Sequence, residues 1–147
     1  MLKSILRRTG TLILLLALSL TMAGCDMLKT DAMEQRVRAM LDTVAAGDRE
    51  GSYALLFPGI TDEETYQEAF QQMQAYFPIA EGYFLTLENY HITRWIGARF
   101  QIVEDAEYQV RFDEQEFRIY VQHVTEVKRA GFTEFRVVSQ KDLLGAA

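Results

Sequence analysis

Reactive chemistry in this chain can come from very few side chains, and the first is Cys25, its only cysteine. It stands at the end of the uncharged run Leu12-Ile-Leu-Leu-Leu-Ala-Leu-Ser-Leu20, directly after the small pair Ala23-Gly24. A lone thiol cannot close a disulfide within the chain, and its place at the end of the apolar run argues against the plain alternative, a buried structural cysteine. His123 is the second candidate, because its parity along an alternating stretch puts it with Ile119 and Val121 on the apolar side. An imidazole there could carry protons near neutral pH if a carboxylate oriented it. No carboxylate stands at a persuasive position: Glu104, Asp105 and Glu107 read as parts of a turn or a polar face. The plain alternative is a hydrogen-bonded core histidine.

The other candidates are weaker. His91 and His123 lack a third ligand and a short-range motif, so no metal site is expected. Ser52 and Ser139 lack a nucleophile elbow, and the glycines are dispersed as turn makers rather than gathered into a phosphate loop. The acidic runs Asp62-Glu-Glu64 and Asp113-Glu114-Gln-Glu116 read as a helix first turn and a hairpin loop, both solvated.

Lys3, Arg7 and Arg8 precede the apolar run, which is shorter than the roughly 20 apolar residues of a spanning helix, so residues 1–24 read as a secretory leader. Met22-Ala-Gly-Cys25 resembles the bacterial lipoprotein lipobox, with Met22 where that motif usually has Leu. The resemblance implies cleavage before Cys25, a diacylglycerol on its thiol and further fatty acylation such as palmitate. Each buried methylene contributes about 0.8 kcal/mol, and two or three chains hold a domain at the bilayer essentially permanently. It also implies an extracytoplasmic protein of the cell envelope. Asp26 next to the cysteine resembles the enterobacterial signal for retention on the periplasmic face of the inner membrane, an implication that holds only for a bacterium with an outer membrane.

From Cys25 onward the chain carries 12 Lys and Arg against 21 Asp and Glu. That balance argues against nucleic acid as a partner. All nine Phe, all seven Tyr and Trp95 lie beyond the leader, enough rings for a thick core or an aromatic-lined cavity.

Residues 25–30 read as a lipidated tether, 31–140 as one domain and 141–147 as a tail. Asp31 and Glu34 have the form of a capping box, and Met33, Val37, Met40, Leu41 and Val44 recur at helical spacing up to Gly47. Asp48 can cap a short helix through Tyr53, Leu55 and Leu56 before Pro58-Gly59. Thr61 and Glu64 repeat the capping form, and Tyr66, Ala69, Phe70, Met73 and Phe77 share a face. Beyond Gly82 the period becomes two. The stretches 98–103, 106–112, 117–127 and 132–139 read as strands, with a three-residue loop Asp113-Glu-Gln115, while 83–93 alternates less clearly before a bend at Trp95-Ile-Gly97.

The expected fold is α+β: N-terminal helices packed on a curved, cone-like antiparallel sheet of about four to five strands. The order of elements, the Ala46-Gly-Asp48 turn and the stretch Tyr53 to Pro58 resemble the nuclear-transport-factor-2-like or cystatin-like superfamily, in particular small lipoproteins of uncharacterised function. The resemblance implies a pocket between sheet and helices, for which His123, Tyr108, Phe100 and Phe117 are the candidates. The leading expectation is a non-catalytic module binding a small apolar ligand or an envelope protein, without cofactor. The competing one is a small isomerase or hydrolase working through His123.

Overall fold

The computed structural model describes residues 30–76, 82–112 and 114–139. The chain divides into two compact units, Met1–Gln35 and Arg36–Ala147. Of the first, residues 30–35 are described, and they are helical. Cys25, the leader, Phe77 and the tail lie outside the described residues.

Helix α1 runs over 30–45. Residue 30 is already helical, so Asp31 sits inside the first turn instead of capping it. In the second unit Val37, Met40, Leu41 and Val44 are buried, the stripe their 3–4 spacing predicts. The helix ends where Gly47 takes φ 72°. Asp48 N–H then donates to Thr43 O at 2.9 Å and Gly47 N–H to Val44 O at 3.1 Å, the paired bonds of a Schellman stop. Asp48 next caps α2 (Arg49–Ala54) by accepting from Gly51 N–H at 2.8 Å.

Helix α2 is shorter than its sequence suggests because a sheet strand claims residues 55–57 for its own backbone pairing. Phe132 N–H donates to Leu55 O at 3.0 Å and Phe57 N–H to Phe132 O at 2.9 Å, so Leu56 forms a parallel bridge with Phe132. Helix α3 (Glu63–Tyr76) starts one residue later than Thr61 would set it. Asp62 is the cap, accepting from Thr65 N–H at 2.8 Å and Thr65 Oγ1 at 3.0 Å, and those bonds hold its carboxyl below the usual range. Tyr66, Phe70 and Met73 are its buried face.

Beyond α3 come four strands, an antiparallel meander in an open sheet, ordered β1 (Phe84–Trp95), β2 (Gln101–Phe112), β3 (Gln115–Glu126) and β4 (Ala130–Ser139). The fold is thus α+β with a four-stranded sheet among the described residues. The two strands expected over 98–103 and 106–112 are one continuous β2. The register Phe112↔Gln115 leaves a two-residue turn instead of three, because Gln115 is already in the ladder. Val127 lies past the end of β3 and is exposed. Register shifts occur at Glu88 in β1 and opposite Gln122/His123 in β4.

One face of the sheet carries Ala106, Tyr108, Val110, Ile119 and Val121, all buried. The other is a polar lattice: Arg118 donates to Glu107 at 2.8 Å, Gln122 to Asp105 at 2.8 Å, and Thr133 to Gln122 Oε1 at 2.8 Å. At the corner where β4 begins, Gly131 has no room for a side chain, since a Cβ there would collide with the Leu56–Phe57 peptide.

Candidate functional site

Among the described residues the buried face of the sheet holds one polar cluster, around Glu104 and His123. Pairing sets Ile92, Glu104 and His123 side by side on β1, β2 and β3, with Phe132 opposite His123 on β4. Partners in an antiparallel ladder point the same way, so Glu104 and His123 both face inward, each 6% exposed. Arg36 Nη1 donates to Glu104 Oε2 at 2.8 Å from α1, and Tyr90 O–H donates to Oε1 at 2.7 Å from β1. His123 Nδ1 lies 3.6 Å from Glu104 Oε2, an ion-pair separation longer than a hydrogen bond, and its ring meets Phe132 edge-on at 5.4 Å.

Burial alone would push the Glu104 carboxyl up. His123 and Tyr90 beside its oxygens and the charge of Arg36 outweigh burial and hold it down at about 2. Tyr90 is driven the other way, by burial first and then by donating to the ionised Glu104. The carboxylate is therefore ionised across the neutral range and faces donors at both oxygens. Its chemistry is that of a fixed anion tying α1, β1, β2 and β3 together; a carboxyl held this low is a poor proton acceptor.

Glu104 is the partner that sequence reasoning set aside for His123. Glu104-Asp105 looks like a turn, but β2 runs straight through it, and Glu104 shares the even parity of Ala106, Tyr108, Val110 and Phe112. That parity was the available signal.

No family model matches this chain, and no curated protein or solved structure matches it either.

The four pocket candidates do not converge. Tyr108 and Phe117 are buried on the same sheet face as His123, but Phe117 is six residues along β3, roughly 20 Å away. Phe117 stacks on Phe112 at 5.6 Å, and Phe100 lies in the β1–β2 loop, 43% exposed. His91 is on the polar face opposite Asp105, with Thr93 Oγ1 at 3.3 Å. Among the described residues no group of His, Cys, Asp or Glu could hold a metal ion. Ser52 is buried with its hydroxyl donating to Arg49 O at 2.9 Å.

A cavity of about 390 Å³ opens elsewhere, between α3 and β4. Met40, Leu56, Tyr66, Met73, Phe132 and Phe135 give it an apolar lining, and Thr61, Thr65, Gln72 and Arg136 add polar groups. Its size suits a small ligand. The resemblance led to a pocket between sheet and helices but to other lining residues, because the residues of these walls have a spacing that marks them as packing. Among the described residues no helix is long and apolar enough to cross a membrane.

Proposed function

We propose that the chain is an extracytoplasmic lipoprotein, anchored by fatty chains on Cys25, whose domain is a non-catalytic binding module using the groove between α3 and β4. The observation that carries the anchor is the coincidence of basic start, apolar run, small pair and sole cysteine within residues 1–25. The groove supports a small apolar ligand, since a mostly apolar concavity with a few polar groups is what such ligands need. Helices leading into an antiparallel meander support the proposed relation to nuclear-transport-factor-2-like or cystatin-like domains, in which the sheet would curve into a cone. In a bacterium with an outer membrane, retention at the inner membrane is the consequence of Asp26 under the same reading.

The test is chemical. The native protein should yield an amino-terminal peptide beginning at Cys25 with acyl mass added, and Cys25→Ser should leave membranes under a high-salt wash while keeping its fold. An unmodified Met1 on the native product defeats the anchor. Lipid extraction of the purified protein and mass spectrometry of the extract test the groove, and an empty extract from protein prepared out of native membranes counts against an apolar ligand.

The proximity of Glu104 to His123 favours a second reading, an isomerase or hydrolase in which the pair works as a base. A substrate would have to reach a ring packed on Phe132 and buried with Glu104. His123→Gln separates the two: the binding module keeps its ligand, and the enzyme loses turnover.

A further inference from the structure

The meander brings the β1–β2 and β3–β4 loops to one end of the sheet, where Trp95, Gln101 and Glu126 stand in one row. Every residue from 94 to 100 and from 127 to 130 is exposed. Large apolar side chains crowd there: Trp95 is 60% exposed, Ile96 86% and Val127 77%, with Phe100 beside them. The same two segments hold Arg94, Arg99, Lys128 and Arg129 and no acid. Arg129 is tied to Glu126 at 2.7 Å and lies over the Phe57 ring, leaving Arg94, Arg99 and Lys128 as the cations of this end. The opposite end carries Glu114 and Glu116 at the β2–β3 turn. In a chain with 21 acids and 12 bases from Cys25 onward, these two segments are a local basic excess.

We propose that this loop end docks on an anionic bilayer surface, Trp95, Ile96, Phe100 and Val127 entering the headgroup region while Arg94, Arg99 and Lys128 meet lipid phosphates. Exposed rings and aliphatic side chains rimmed by Arg and Lys are the chemistry of an interfacial contact. An uncharged protein partner would leave the basic rim unused. The path of the chain supplies the second argument. Arg36, the first residue of its unit, meets Glu104 near the loop end, and Asp42 accepts from Tyr83 O–H at 3.1 Å at the far end of β1. The chain therefore enters this unit from the loop side. Cys25 is 11 residues before Arg36, and with residues 30–35 helical the reach is roughly 25–27 Å at most, shorter than one of these 12-residue strands. An anchor there holds the basic apolar loop end near the membrane and the β2–β3 turn away from it. This inference rests on the anchored reading of Cys25.

Trp95 is the only tryptophan, so its fluorescence reports this end alone. The full chain is reconstituted into phosphatidylcholine vesicles, with or without phosphatidylglycerol, and Trp95 emission is read with acrylamide in the water and brominated acyl chains in the bilayer. The expected result with phosphatidylglycerol is a blue shift, quenching by brominated lipid and protection from acrylamide. Arg99→Glu with Lys128→Glu weakens docking by roughly fivefold for each cation lost, and Ile96→Ser with Phe100→Ser abolishes brominated-lipid quenching. Trp95 equally open to acrylamide in both vesicles overturns the proposal. Equal protection in both, unmoved by charge reversal, overturns the anionic surface. Protection that grows with protein concentration without vesicles replaces the membrane with a second copy. The mass of the Cys25 peptide is read on the same sample, so a missing acyl group and a failure of docking are separate results.

Discussion

Replacing Glu104 by Gln keeps the shape of the side chain and removes the charge that Arg36 and Tyr90 address. A carboxyl whose value falls from 4.5 unfolded to about 2 folded corresponds to about 3 kcal/mol of stabilisation. Arg36 is 37% exposed, so water screens part of its contribution, and about 2–3 kcal/mol is the expected cost of Glu104→Gln at neutral pH. The folded value is depressed, so this stability is fully present above about 4.5 and is lost as pH falls toward about 2. Urea unfolding of parent and variant over that range provides the assay, with the midpoint tracked by far-ultraviolet circular dichroism at each pH. The two curves should stand apart at pH 7 and converge near pH 2. A variant within about 0.5 kcal/mol of the parent at pH 7, the ordinary scatter of surface substitutions, refutes the claim that Glu104 ties the helix to the sheet. So does a gap that stays constant with pH, which would assign the loss to packing.

The geometry sets two further outcomes. Gly131→Val forces a side chain into the Leu56–Phe57 peptide and should unseat the bridge to Phe132, costing more than about 2 kcal/mol in the same unfolding assay, whereas Gly59→Ala, with open space around its Cβ, is limited to the strain of its φ of 83°. The Tyr83 hydroxyl is pushed up to about 12 by burial and then by the charge of Asp42, so its ultraviolet ionisation step should come near pH 12 and move down in Asp42→Asn. Because its folded value lies above its unfolded one, the fold loses stability as pH rises from about 10 toward 12, and Tyr83→Phe should remove that part of the alkaline loss.

Where the chain alternates without interruption, as from Phe117 to His123, its sequence states both the strand and the side that is buried. Strand β1 is obscured because the register shift at Glu88 moves the inward set from Leu85 and Leu87 to Tyr90 and Ile92, so no single period of two spans it. Glu104 was hidden by composition: two adjacent acids suggest water, and only the continuity of β2 shows that one of them faces inward. The caps show the same limit on a smaller scale. Asp62 and Thr61 are both acceptable caps, and the choice depends on which of them the helix backbone reaches. The groove and the exposed loop end are products of assembly, since each joins residues from segments far apart in the chain.

The bridge between Leu56 and Phe132 joins positions 76 residues apart, and it completes backbone pairing at the end of α2. Synthesis at about 5–20 residues per second puts roughly 4–15 seconds between the two. Through that interval the Leu55 carbonyl and the Phe57 N–H lack the partner that Phe132 gives them, and the side of α3 that faces β4 waits for a strand that is not yet made. The order of residues along the chain thus makes the last strand the one that fastens the end of α2, and any agent that shields nascent apolar surface has that interval in which to act.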